Sequence, residues 1–268
     1  MRNPILVLGA GIAGLGAAYK LSGNNQQVIV LEKDETYGGL CGNFTIEGFR
    51  FDRFVHFSFA KDEEVNDIFA KGSPEIYRHK PNPFNLYHGL WIKHPAQNNL
   101  FPLPKEEKEK IIADFRNRPN ADSLIVDDYE QWLRLQYGNY FAEHFPMVYT
   151  RKYWMTKAAD LETHWVGNRL YQPSLDEVIR GAQTADTPVT YYSKEMRYPL
   201  KGGYKQYLSA LVDGLDIHYN EEVMAISTLN KTLCTASGMK YSYSRLISSL
   251  PLPMVVNMLT DVPEEVLS

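Results

Sequence analysis

Gly9, Gly11 and Gly14 stand at G-x-G-x-x-G spacing, and Glu32 follows about twenty residues further on. Residues of these types do not react; they hold a charged ligand. A glycine at each position removes a Cβ where a turn is tight, where backbone meets a pyrophosphate, or where a helix packs on a strand. Ile12 and Ala13, between the glycines, open a segment whose backbone N–H groups and positive dipole end face the phosphates if it is helical. Glu32 is placed to accept hydrogen bonds from ribose hydroxyls. The elements that must position this set are readable around it. Residues 5–8 form an apolar run suited to a buried parallel strand, 12–21 to a helix, and 28–31 to a second strand ending on the acid. A glycine-rich βα turn used only for close packing is the alternative. The strand before, the helix after and the acid in place favour dinucleotide binding.

Composition narrows the class. With 268 residues the chain has room for one large domain or two smaller ones, and 44% hydrophobic with 22% charged residues is ordinary for a globular protein. A formal net charge of -4 leaves no basic surplus to offset phosphate repulsion, which argues against nucleic acid as a partner. Cys41 and Cys234 are the only cysteines and lie far apart. That excludes a disulfide framework or a cysteine zinc site and fits a reducing compartment. The first strand begins almost at Met1, and no apolar run reaches the length of a membrane span, so a cytoplasmic protein without a transmembrane segment is expected.

After Glu32 and Lys33 comes the pair Gly38-Gly39, followed by Leu40 and Cys41. Residues 43–52 read as a hairpin turning at Glu47-Gly48, with His56 just beyond it among phenylalanines. Further on, Tyr149, Thr150, Lys152 and Trp154 stand in the order Tyr-Thr-x-Lys-x-Trp. These motifs, in this order, resemble the FAD enzymes of the amine oxidase, protoporphyrinogen oxidase and UDP-galactopyranose mutase superfamily. The resemblance implies an α/β fold: a Rossmann-like FAD-binding domain with an inserted, mainly helical substrate domain. It implies domains at 1–80 with 196–268 for the cofactor and 81–195 for the substrate.

The same resemblance assigns roles. The Gly38-Gly39 pair lets backbone approach the phosphate and ribityl region of FAD, with Lys33 before it and Leu40 after it. Many members carry Arg or Lys where this chain has Leu40. His56 matches a histidine that sits against the flavin in the mutases, although the glycine and proline that flank it there are Phe54 and Val55 here. Val223 matches a valine whose backbone meets the adenine. Tyr149, Lys152 and Trp154 fall in the part of the mutases that forms the uridine-nucleotide pocket, and Arg169 matches an arginine near the substrate. A metal is not expected. Members of the family continue past the equivalent of Pro253, so the resemblance also implies that the site is incomplete at its C-terminal side.

Smaller signals place the rest. Pro95 marks 90–100 as an edge strand or loop, with His94, Gln97 and Asn99 as candidate sugar contacts. Residues 105–118 read as a charged helix with Ile111, Ile112 and Phe115 inward. Asp127 or Asp128 caps the next helix, Gly138 ends it and Pro146 breaks the chain. Ser174 and Glu177 form a capping box on a short helix that Gly181 follows. A proline-x-x-glycine-glycine entry at 199–203, beside Lys201, leads to a helix with Tyr207, Leu208, Leu211 and Val212 on one face. Residues 217–250 alternate strands and turns. The reading that follows is a FAD-dependent flavoenzyme of the oxidoreductase superfamily with a small-molecule substrate, its glycan bias implied by the mutase resemblance. The alternatives are a nucleotide-sugar mutase, a nicotinamide-dependent dehydrogenase, and a non-catalytic dinucleotide-binding subunit that needs a partner.

Overall fold

The run Ile5–Leu8 is buried along its whole length, as a strand covered on both faces must be, and forms β1. The computed structural model describes residues 3–23, 26–119, 126–167, 169–188, 190, 193–263 and 265. The chain divides into two compact units, 1–79 with 195–268, and 80–194.

The first unit is built on a parallel sheet. From β1 the chain crosses through α1 (Ile12–Ser22) to β2 (Val28–Leu31), which pairs in parallel register with β1. A hairpin of β3 (Asn43–Ile46) and β4 (Phe49–Asp52) follows, turning on Glu47 and Gly48, both at positive φ. The paired positive φ values are those of a tight two-residue hairpin turn. After α2 (Glu63–Gly72), capped by Asp62, the chain leaves through β5 (Ile76–His79).

In the second unit, β6 (Phe84–Tyr87) and β7 (Leu90–Lys93) form a hairpin. Among the described residues five helices then enclose a core around Ile92, Leu100, Ile111, Leu133, Phe141 and Val178. They are α3 (Lys105–Asn117), α4 (Tyr129–Tyr137), α5 (Asn139–His144), α6 (Pro146–Trp154) and α7 (Leu175–Gln183). Asp128 caps α4, and Ser174 with Glu177 forms the reciprocal capping box of α7.

Two local expectations change in this unit. Pro146 starts α6 at its first turn, where a missing N–H costs nothing, rather than merely interrupting the chain. Gly181 lies inside α7, where it lets the helix approach a backbone: an added Cβ would stand 2.1 Å from the Asn98 carbonyl oxygen.

The chain returns to the first unit through β8 (Met196–Pro199), antiparallel to β5. The expected single helix after Gly203 is a 3-10 turn, Tyr204–Leu208, followed by the short α8 (Ser209–Val212). Tyr207, Leu208 and Leu211 are buried in the core beside α1 and β1. Next, β9 (Asp216–His218) pairs with β2. β10 (Val223–Ser227), β11 (Thr232–Thr235) and β12 (Lys240–Ser242) make a separate antiparallel sheet. Then β13 (Arg245–Ser248) joins β1 on its other side, giving the all-parallel order β13-β1-β2-β9, and α9 (Leu252–Met258) follows. Among the described residues no helix is long and apolar enough to cross a membrane.

Candidate functional site

The glycine turn at the C-terminal end of β1 is held by backbone and by one acid. Gly9 has φ +93°, and a Cβ on Gly14 would fall 1.9 Å from the Gly9 carbonyl oxygen, so only glycine lets α1 start this close to the strand. Gly11 is the N-cap of α1; no side chain caps it and its first turn carries no acid. Ile12 and Ala13 are exposed there. The N-cap and first turn of the helix therefore supply no anion of their own to its positive end, the arrangement that receives a phosphate.

Glu32 is buried, and both its oxygens are engaged: Oε2 accepts from the Ala10 N–H at 2.6 Å and Oε1 from the Asp34 N–H at 3.0 Å. It ties the glycine turn to the end of β2. A carboxylate offers about four acceptor sites, so two remain for ribose hydroxyls. Lys33, next to it, is exposed. The chain from β9 runs past the same point, with Glu221 N–H donating to the Glu32 carbonyl at 2.9 Å. That leads into Val223, buried at the start of β10 and packed in one cluster with Leu8 and Leu31.

The double glycine meets the first turn directly. Gly38 N–H donates to the Ala10 carbonyl at 2.9 Å, Gly11 and Gly38 form a parallel bridge, and a Cβ on Gly39 would stand 3.1 Å from Gly11 Cα. Gly38 and Gly39 have φ +125° and +53°. The two glycine turns thus meet backbone to backbone, Gly39 against Gly11, and form one backbone-walled cradle. Leu40 beyond them is 64% exposed, so it is not there to serve the core. Cys41 is buried, and burial together with nearby Asp52 raises its thiol pKa.

The hairpin base carries the second group. Asp52 accepts from the Tyr198 hydroxyl and from the Tyr204 N–H at 3.3 Å. Asn43, paired with Asp52 across the hairpin, donates to the Gly202 carbonyl at 2.8 Å. Together they fix the glycine turn before Tyr204, whose ring stacks on His56 with centroids 4.9 Å apart. The His56 Nδ1 lies 2.9 Å from the Phe54 carbonyl. Burial pushes the Tyr198 and Tyr204 hydroxyls up to about 12, with Asp52 adding to the first, so both stay protonated donors at neutral pH. Reading along the chain singled out His56 and gave Tyr198 and Tyr204 no role; the only signal for them is their position around Gly202-Gly203.

In the second unit α6 presents Tyr149, Lys152 and Trp154, all exposed, while Thr150 turns inward and donates to the Pro146 carbonyl at 2.7 Å. Tyr149 stacks on Tyr153 at 4.5 Å, and Trp154 lies 5.9 Å from Trp165. Arg169 joins the same group, donating from Nη1 to the Trp165 carbonyl at 2.8 Å. This is an open aromatic and basic face rather than core. Two candidate sugar contacts are engaged internally instead. Gln97 donates to the Tyr171 carbonyl, and Asn99 is buried between Pro95 and Thr187. Lys201 is exposed, 3.5 Å from Glu75.

Comparison with known proteins bears on this geometry. A family model described as flavin containing amine oxidoreductase matches residues 12–265. All-trans-retinol 13,14-reductase of Rattus norvegicus is 26% identical over 136 residues, covering 48% of this chain and 21% of that protein. A 4,4'-diapophytoene desaturase (4,4'-diaponeurosporene-forming) of Staphylococcus haemolyticus is 46% identical over 48 residues, covering 18% of this chain and 10% of that protein. Among solved structures, reduced UDP-galactopyranose mutase superposes with a TM-score of 0.90 at 24% identity, over 98% of this chain and 59% of that one. Putrescine oxidase bound to putrescine gives 0.62 at 16% identity, over 98% and 62%. The chain therefore spans about a fifth or less of these curated relatives and about three fifths of these solved structures.

Proposed function

Because the chain belongs to the flavin-containing amine oxidoreductase family, whose cofactor is FAD, we propose that its first unit is the FAD-binding part of a flavoenzyme and its second unit the substrate part. The observation that carries the first half is the cradle of Gly9, Gly11, Gly14, Gly38 and Gly39 against an uncapped helix N-terminus. Its walls are backbone, its open end is positive, and Glu32 retains acceptor capacity at its rim. Ile12, Ala13, Lys33 and Leu40 line the approaches, and Val223 opens the strand that follows the chain's contact with Glu32. Bound FAD supplies the electron-transfer chemistry. The chain's own contribution is to bind it, orient it and exclude water, with His56 on the Tyr204 ring as the candidate flavin-side residue.

For the substrate we infer a small molecule with a flat, anionic part, such as a nucleotide sugar, and a place in bacterial surface-polysaccharide synthesis. The support is the exposed group Tyr149, Lys152, Trp154 and Arg169: a ring can stack on a base, and a guanidinium can hold a diphosphate bidentately. On this reading the reaction is oxidoreduction or, in the second reading, a sugar-ring isomerisation without net redox. The likeness in fold to the mutase favours keeping the second. The visible spectrum of the purified chain, before and after adding FAD, tests the cofactor half; a protein that stays colourless and takes up no FAD would refute it. Turnover of UDP-galactopyranose under reducing conditions, set against peroxide release with amines, separates the two reactions.

A further inference from the structure

We propose that Lys205 is a phosphate-binding residue of the cofactor site, its ammonium group meeting the dinucleotide at the outer side of the double-glycine turn. The inference rests on the reading of the first unit as a FAD site. Lys205 lies in the 3-10 turn Tyr204–Leu208 and is half-buried. Its Cγ would be 3.5 Å from a Cβ on Gly38. Its Nζ sits 4.3 Å over the Tyr37 ring and donates to the Thr36 hydroxyl. Lys205 therefore touches the loop that joins Glu32 to Gly38 at three successive residues.

What it lacks is a counter-charge. Among the described residues no carboxylate lies within ion-pairing distance of its Nζ. Of the acids on the neighbouring segments, Asp34 pairs with Arg53 at 3.0 Å, Asp52 accepts from Tyr198 and Tyr204, and Glu32 accepts from Ala10 and Asp34, while Glu35 beside Thr36 is exposed to water and makes no ion pair with Lys205. Burial, then the like charge of Arg53, lowers the Lys205 pKa. A half-buried ammonium held by a hydroxyl and a ring alone is under-compensated, and an arriving anion removes that cost. The anion is a phosphate because of where the lysine stands. Gly38, which lies against Lys205, also bridges to Gly11, the uncapped N-terminus of α1, so one residue joins the lysine to the positive end of the helix.

The test uses the whole chain with Lys205→Met, Lys205→Arg and, as a control for net charge, Lys71→Met on α2. FAD, ADP and phosphate-free adenosine are titrated by calorimetry or by NMR shifts. Lys205→Met should weaken FAD and ADP about tenfold, the worth of one charge-assisted hydrogen bond, and leave adenosine within twofold. The loss should shrink at high salt. Lys205→Arg should recover most of the affinity, and Lys71→Met should change nothing. Equal ADP binding by wild type and Lys205→Met would overturn the inference while leaving the FAD reading intact. A parallel loss for adenosine would mean a distorted turn and would also overturn it. Failure of the wild type to bind either FAD or ADP would remove the FAD reading and this inference with it.

Discussion

Removing the Glu32 carboxylate should both loosen the glycine turn and weaken FAD, and the two effects have different sizes in two variants. Ala10 is fully buried, and its N–H has the Glu32 Oε2 as acceptor at 2.6 Å. In Glu32→Ala that donor is stranded, which costs about 1–3 kcal/mol; the Asp34 N–H, half-buried, adds about 1 kcal/mol or less because water reaches it. Glu32→Gln keeps one carbonyl oxygen and turns an NH2 toward the other donor, so it should lose about half as much. A chain of two units need not unfold in one step. The stability readout is therefore local: hydrogen exchange of the Ala10 amide, expected to accelerate about 10–100-fold in Glu32→Ala and less in Glu32→Gln. FAD affinity should fall about tenfold or more in both, since each ribose hydroxyl then faces a weaker or absent acceptor. Unchanged Ala10 exchange in Glu32→Ala would refute the claim that the acid holds the turn. Faster Ala10 exchange with FAD binding kept within twofold in Glu32→Gln would refute the ribose role alone.

Three further outcomes follow from the same kind of reasoning. Gly181→Ala gains about 1 kcal/mol of helix propensity, but its Cβ would stand 2.1 Å from the Asn98 carbonyl oxygen, and forced repacking costs about 1–3 kcal/mol or more. The net effect should be a lower thermal midpoint for the second unit; an unchanged or raised midpoint would contradict the packing. Asp261 is held at about 2, chiefly by the Leu229 N–H and then by Thr228. A lowered folded-state pKa means that its contribution is present above the usual 3.8 and is lost as pH falls toward 2. Amide exchange at Thr228 and Leu229 should rise across that window in wild type and show no such step in Asp261→Asn. The Cys41 thiol is buried with its pKa raised, so it should resist a thiol-disulfide reagent at neutral pH until the protein is unfolded. Labelling of Cys41 at the rate of a free thiol would show that the turn opens readily.

Local signals were readable where one short stretch decides the outcome. The apolar run at Ile5–Leu8, the positive-φ pair Glu47-Gly48, the Asp128 cap and the box of Ser174 with Glu177 each act within a few residues. The misplaced helix end at Gly181 has a different cause. A glycine near the end of a periodic run normally reads as a stop, whereas here its partner is the Asn98 backbone, more than eighty residues earlier and invisible to a window. The 3-10 turn at Tyr204–Leu208 is a similar case: burial of Tyr207, Leu208 and Leu211 fits the apolar spacing, but the Asn43 and Asp52 contacts to Gly202 and Tyr204 set how the segment starts.

The same distinction governs the site. Gly9, Gly11, Gly14 and Glu32 announce themselves because their spacing follows from one strand, one turn and one helix. That Gly39 stands against Gly11, or that Asp52 fixes the turn under the His56–Tyr204 stack, depends on pairings across 28 and 152 residues. Chemistry in such a site depends on what the turn brings together, so residues without a local signature carry much of it. Lys205 shows the consequence. By sequence it is one lysine in an ordinary helix entry, and its neighbours in the chain are tyrosine and glutamine. In the fold it lies against Thr36, Tyr37 and Gly38 with no carboxylate to meet it among the described residues. The missing counter-charge, rather than any motif, marks it as part of the cofactor site.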